Sequence, residues 1–278
     1  MKIVPKFSVW FLPKVFNTRY RLASMTRKHR TFGRIVERTM FDEDEVVVLP
    51  KDSVAKDINV DIGFDSAGDR TILPSDIVNE MIARADDIFV MNFCICRKSN
   101  KCQDYPVDHG CMFMGKGVHR IPEEYGRLVT KEEARAYVAE CRELGLVHII
   151  GRNKLDSIWL STGDKRDLMT VCNCCPCCCL WNMVRDISGD IAGMYRKMDG
   201  VSVTVDTERC VGCGLCADIC FTKAITIEGG RSSIGDKCRG CGRCADICPS
   251  EAITVNFDSS AVDAEMERIA DLVRLHNE

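Results

Sequence analysis

The chain has 278 residues, 46% hydrophobic and 28% charged, with a formal net charge of −3 at pH 7 and 19 cysteines. That length suits one or two domains with real cores, and no apolar run is long enough to form a transmembrane helix. So many cysteines, without the small-residue cleavage site of a secretory signal, exclude a secreted disulfide scaffold and lead us to expect a cytoplasmic, metal-binding protein, with a thiol load that points to an anaerobe.

Charge is unevenly spread. Residues 1–36 contain nine Lys or Arg and no acid, which leaves 29 basic against 41 acidic residues, net −12, in the remainder. Val9, Trp10, Phe11, Leu12, Val15 and Phe16 add apolar surface to this head, and Pro5 and Pro13 prevent a single helix. We read the basic segment 1–41 as packing on the acidic body. Docking to a partner or membrane surface through residues 1–36 is the second reading, and nucleic-acid binding is set aside because no binding motif accompanies the charge.

Beyond an acidic turn, residues 46–49 read as a short strand closed by Pro50. Residues 75–87 follow Pro74 and repeat Ile77, Val78, Met81, Ile82 and Ala85 at helical spacing. Residues 88–96 turn extended and apolar, so Cys94 and Cys96 are expected on one face of a buried strand. A second helix starts at a capping box of Thr130 and Glu133, lines one face with Ala134, Tyr137, Val138, Cys141 and Leu144, and stops at Gly145, a left-handed cap position. Cys141 on that face reads as a small hydrophobe. Residues 147–150 and 158–160 read as strands. A helix followed by two strands is also the order of a winged helix, but Glu132, Glu133, Glu140 and Glu143 would repel phosphate.

Ten further cysteines precede residue 200: Cys94, Cys96, Cys102 and Cys111, then Cys172, Cys174, Cys175, Cys177, Cys178 and Cys179. Six cysteines in eight residues have no ordinary core role, so these ten are assigned as ligands of one or two additional iron-sulfur clusters of unknown type. In an extended run Cys172, Cys174 and Cys178 face one way and Cys175, Cys177 and Cys179 the other, unless Pro176 bends the chain and changes the parity. The adjacent pairs are then suited to bridging two sites or gripping one larger cluster. Two cubanes at four thiolates each leave two thiols spare. Arg97, Lys98, His109, His119, His148 and Arg152 are candidate cationic neighbours, able to raise a cluster's potential or hold an anionic substrate. The glycine-rich stretch 110–117 matches no phosphate-binding pattern, so no nucleotide is assigned.

The last eight cysteines form two copies of C-x2-C-x2-C-x3-C, namely Cys210, Cys213, Cys216, Cys220 and Cys238, Cys241, Cys244, Cys248, set 28 residues apart. Twelve of nineteen aligned positions between 209–227 and 237–255 are identical, so the segment is an internal duplication. Gly212, Gly214, Gly240 and Gly242 permit the close backbone approach that three thiolates around one cluster need. Zinc also accepts paired C-x2-C units, but not the third and fourth cysteines at these spacings.

On these motifs residues 201–258 resemble the bacterial-type ferredoxins with two 4Fe-4S clusters. The resemblance implies a small α+β fold, strands near 202–205, 224–227 and 252–255, and low-potential one-electron transfer. It also implies crossed ligation, with Cys210, Cys213, Cys216 and Cys248 on one cluster and Cys238, Cys241, Cys244 and Cys220 on the other. Pro249 follows Cys248 as in that family, whereas Phe221 follows Cys220. The paired upstream cysteines are similar to the CCG-type domains of heterodisulfide reductases, with CCP and CCL where CCG stands there. The chain as a whole resembles cysteine-rich 4Fe-4S dicluster proteins of strict anaerobes that carry a C-x-C-R and a CNCCPCCC element.

Residues 260–278 place Val262, Met266, Ile269, Leu272 and Val273 at helical spacing and are expected to pack on the body. The expected fold is α+β: a basic segment 1–41, a cysteine-rich α/β domain 42–200, a two-cluster ferredoxin-like domain 201–258 and a C-terminal amphipathic helix 259–278. The expected function is an electron carrier that passes low-potential electrons between the C-terminal clusters and the upstream ones, with a redox partner protein and no nucleic acid. The alternative is a reductase whose upstream cluster, noncubane in form, does heterodisulfide-reductase-like chemistry.

Overall fold

Strand β1 (Glu45–Val48) buries Val46 and Val48 on one side and Val47 on the other, as a strand covered on both faces does. The computed structural model describes Phe11, Lys14 and residues 16–59 and 72–276. The following strands are β2 (Ala55–Asp57), β3 (Ile88–Met91), β4 (Met112–Met114), β5 (Gly126–Leu128), β6 (Val147–Arg152), β7 (Met169–Cys174), β8 (Tyr195–Lys197), β9 (Ser202–Val205), β10 (Ile225–Glu228), β11 (Arg231–Ile234) and β12 (Ile253–Phe257). Seven of them form a mixed sheet in the order β5-β3-β4-β7-β6-β1-β8, antiparallel except for the β1–β8 pair. A β10–β11 hairpin and a β2-β12-β9 sheet complete an α+β fold.

One face of the large sheet carries Val47, Ile150, Met169 and Val171. Against it pack Ile77 and Met81 of the Asp76–Arg84 helix, Val138 of Lys131–Glu143 and Ile269 of Val262–Ala270. Each such side chain, once buried, contributes roughly 1.5–3 kcal/mol. Val255 and Phe257 of β12 enter the same core. The Lys131–Glu143 helix begins where its capping box places it: Thr130 Oγ1 accepts from the Glu133 N–H at 3.2 Å, and Glu133 Oε2 accepts from the Thr130 N–H at 2.9 Å. It ends at Gly145, whose φ of +73° lets the Leu146 N–H reach the Cys141 carbonyl at 3.1 Å. The opposite sheet face carries Val48, Val147, Ile149, Phe89 and Phe113, and with them the upstream cysteines.

Several expectations are corrected. The extended run from 88 ends at Met91, and Cys96 lies in a helix, Ile95–Asn100, so it does not share a strand face with Cys94. Tertiary contacts hold this short helix: Arg97 donates to the Asn173 carbonyl at 2.9 Å and to the His109 carbonyl. Residues 158–160 belong to the Lys154–Leu160 helix, not a strand, which removes the winged-helix order. It is capped by Asn153, whose Oδ1 accepts from the Leu155 N–H at 3.1 Å. The tail helix stops at Ala270. Val273 and Leu275 are still buried beyond it, held by the Arg274 N–H to the Arg166 carbonyl at 2.7 Å and the Asp86 N–H to the Leu275 carbonyl at 3.2 Å.

Of the basic head, Pro5, Val9, Trp10, Leu12, Pro13 and Val15 lie outside the described residues. The helix Arg19–Lys28 packs on the body: Thr26 Oγ1 accepts from the Ser188 N–H at 3.0 Å, and Arg27 donates to the Arg185 carbonyl at 3.4 Å. No helix among the described residues is long and apolar enough to cross a membrane.

Candidate iron-sulfur and thiolate sites

The duplicated loops turn on glycines in the left-handed region: Gly212 and Gly214 in the first copy, Gly240 and Gly242 in the second. At Gly212 a Cβ would stand 2.3 Å from the Gly230 carbonyl oxygen, so this approach requires glycine. Cys210, Cys213, Cys216 and Cys248 line one cavity with Ser232 and Pro249. Cys220, Cys238, Cys241 and Cys244 line another with Phe221 and Arg243. In each, the fourth cysteine of one run lies among the first three of the other. Backbone N–H groups donate to these sulfurs, Ser232 to Cys210 and Gly240 to Cys238 at 3.4 Å, Ala224 to Cys220 and Ala252 to Cys248 at 3.3 Å. Such bonds favour the thiolate and fit an anionic cluster.

The two copies face different surroundings. Val211 and Leu215 of the first are exposed, as is Cys213. At the equivalent positions of the second, Arg239 donates to the Tyr195 carbonyl and to that of Ala192 (3.1 Å), and buried Arg243 donates to the Cys174 carbonyl at 2.7 Å. One loop looks outward; its twin is pinned to the upstream cysteines.

The ten upstream cysteines divide into four and six. β7 ends at Cys174, and a turn at Pro176 breaks the alternation, its carbonyls at Pro176 and Cys177 held by the Asn182 amide at 3.1 and 3.3 Å. Cys178 therefore joins Cys175 and Cys177, contrary to the extended parity, and Cys179 swings back to Cys174. The first group is Cys102, Cys175, Cys177 and Cys178, with all four sulfurs within 4.8 Å of one another. Asn100 bridges the two segments, donating to the Cys96 carbonyl at 2.8 Å and that of Cys178 at 3.3 Å.

The second group is a row of four buried and two half-buried thiols. Cys174 and Cys179 stand 3.1 Å apart and Cys111 and Cys172 3.9 Å apart, Cys172 also bonds Cys174, and the Cys94–Cys96 pair acts electrostatically on Cys111, Cys174 and Cys179. The Cys94 thiol is lowered to about 7 by its bond to Cys96, with burial opposing and Arg97 assisting. Bonds from Cys172 and Cys179 hold Cys174 well below the usual thiol range, with Arg243 and Arg97 adding to them. Three buried donors here have no hydrogen-bond partner among the described residues, Arg97 Nε, Arg243 Nε and the Tyr195 hydroxyl. Unpartnered donors beside six thiols fit an anionic metal-thiolate group.

Of the anticipated cationic neighbours only Arg97 is placed between thiols, with Cys94, Cys174 and Cys175 acting on it. Lys98 lies over the Phe93 ring at 4.4 Å, His119 pairs with Asp87 at 2.7 Å, and Arg152 donates to the Leu272 carbonyl at 3.0 Å. His109 pairs with Asp108 and Glu140, and buried His148 meets Asn173 Oδ1 at 2.8 Å. Cys141 is fully buried beside Leu146, Cys175 and Cys178, and burial pushes its thiol up to about 12, as suits a neutral hydrophobe. Sequence reading missed Arg243 and Tyr195. For Arg243 a signal existed, because it replaces Leu215 in an otherwise repeated GCG-x-CADIC.

The 4Fe-4S binding domain family matches residues 203–226, and the LdpA Fe-S cluster-binding domain family matches residues 215–258. No curated protein and no solved structure matches the chain. The C-terminal region is thus a 4Fe-4S binding region in an iron-sulfur protein, with residues 42–200 outside both matches.

Proposed function

We propose that this iron-sulfur protein is an electron relay, in which two 4Fe-4S clusters in residues 201–258 exchange electrons with a partner protein and pass them to a further cluster held by Cys94, Cys96, Cys111, Cys172, Cys174 and Cys179. The observation that carries this reading is the Arg243 contact. The residue between Cys241 and Cys244 hydrogen-bonds the backbone of Cys174, so the inner C-terminal site adjoins the six-thiol row through two buried residues.

Iron-sulfur clusters supply one-electron transfer when bound; the chain's residues position and tune them. Cys220 and Cys248 cross between the C-terminal sites and hold them close. Exposed Val211 and Leu215 leave the outer site open to a partner, while Arg239 and Arg243 turn the inner one towards the upstream half. Their guanidinium charge favours the reduced, more negative state of whatever they adjoin. A thiol load of this kind suits the reducing cytoplasm of an anaerobe.

The second reading, a reductase, is favoured by one feature: six thiols gather where a cubane takes four. Both readings are tested by iron, acid-labile sulfide and EPR on anaerobically purified protein. The relay predicts twelve or more irons, about three cubanes, and magnetic coupling among reduced centres. About eight irons, the C-terminal pair alone, would end it, and a signal foreign to cubanes would select the reductase.

A further inference from the structure

Cys177 Sγ lies 3.6 Å from both Cys102 Sγ and Cys175 Sγ, and Cys178 completes a quartet within 4.8 Å. Among the described residues no other group of three or more Cys, His, Asp or Glu donors is gathered so tightly, the two C-terminal quartets included. A single tetrahedral ion with ~2.3 Å metal–sulfur bonds sets its thiolates about 3.8 Å apart. A cubane interposes four irons and holds its thiolates farther apart. The mutual closeness of all four sulfurs separates this quartet from the two C-terminal four-cysteine sites.

We propose that Cys102, Cys175, Cys177 and Cys178 form a mononuclear tetrathiolate zinc site. Binding converts four thiols to thiolates and releases their protons to solvent. Four thiolates around a dication leave a net double negative charge, and the surroundings meet it: the Cys178 N–H donates to Cys175 Sγ at 3.4 Å, the Asp104 and Tyr105 N–H groups bond Cys102, and buried Arg97 bonds Cys175. The role of the ion is positional. It ties the loop leading from Cys102 to Cys111 onto the turn between Cys174 and Cys179.

The test is zinc, iron and sulfide content of the anaerobically purified full chain, wild type against Cys177→Ala and Cys102→Ser. Cys177 is exposed, so its truncation removes a ligand without opening the core. We expect about one zinc per chain, falling roughly tenfold in either variant, with iron and sulfide unchanged. Zinc absent from the wild type, an iron–tetrathiolate spectrum in its place, or loss of about four irons from Cys177→Ala each overturns the proposal. Cobalt reconstitution gives a second readout, since a four-thiolate Co2+ charge-transfer band must appear in the wild type and vanish in both variants. Failure of this site is read from zinc and failure of the relay from iron, so the two are distinguishable.

Discussion

Arg243 donates to the Cys174 carbonyl at 2.7 Å, stacks over Phe221 at 5.4 Å and keeps its Nε without a partner among the cysteines. This joins a loop of the duplicated C-terminal region to the last residue of β7. Burial works against its charge, while Cys241, Cys179 and Cys174 hold it protonated. A charged residue so placed acts on both sites at once.

Replacing Arg243 with Gln is expected to lower the reduction potential of the adjoining centres by tens of millivolts, where ~59 mV is a tenfold change for a one-electron couple. Iron content should hold, and Arg243→Lys should recover part of the shift. EPR-monitored redox titration checks this; unchanged potentials would reduce Arg243 to a packing residue.

Cys220 lines the cavity of the second run and Cys248 that of the first. Cys220→Ala should therefore damage the centre held by Cys238, Cys241 and Cys244, and Cys248→Ala the centre held by Cys210, Cys213 and Cys216. Each variant should lose about one cubane, and the surviving EPR signal should differ between them. Lesions confined to the mutated cysteine's own run would reject the crossed arrangement.

Gly212 and Gly214 both have positive φ, but only Gly212 meets backbone, with the Gly230 carbonyl 2.3 Å from a built Cβ and nothing within 4 Å at Gly214. Gly214→Ala should cost about 1–2 kcal/mol from conformation alone and keep its cluster. Gly212→Ala must move the loop and should lose iron from the first run. Metal analysis with thermal denaturation separates the two; equal losses would mean that conformation, not contact, decides.

Burial raises the Asp44 carboxyl to about 7, with Lys154, Lys165 and Arg152 opposing the shift. Both oxygens accept from the Lys154 N–H, at 2.9 and 3.0 Å. A folded pKa above the unfolded one means that stability present below about pH 4 is lost as pH rises towards 7, by about 4 kcal/mol at most. Asp44→Asn should flatten the fall of the thermal midpoint between those limits. A slope identical to wild type would place the titration elsewhere.

Local chemistry was legible wherever one stretch of chain settled it. The capping box at Thr130 and Glu133, the left-handed stop at Gly145, the buried stripe from Ile77 to Ala85 and the valines of β1 involve neighbours a few residues apart, so their spacing alone specified them. The 4Fe-4S character of the C-terminal region belongs with them, since duplicated cysteine spacing and glycine turns sit within two short loops. The short helices Ile95–Asn100 and Lys154–Leu160 were not legible as such, because their apolar residues also fit a strand, and the contacts that anchor the first, Arg97 to the Asn173 and His109 carbonyls, come from other stretches of the chain.

The division of the upstream cysteines was decided only in three dimensions. Consecutive residues such as Cys174 and Cys175, or Cys178 and Cys179, carry the same side chain and differ only in which way the backbone turns them. That turn is made by Pro176 and held by Asn182, and the partner thiols come from Cys94, Cys96, Cys102 and Cys111 on other elements. Likewise one position in a repeated motif, Leu215 in one copy and Arg243 in the other, acquires meaning only from what each faces. Composition and spacing established that this chain binds metal through thiolates; strand register and a proline turn decided which thiolates meet, because ligation depends on distance across the fold and not along the chain.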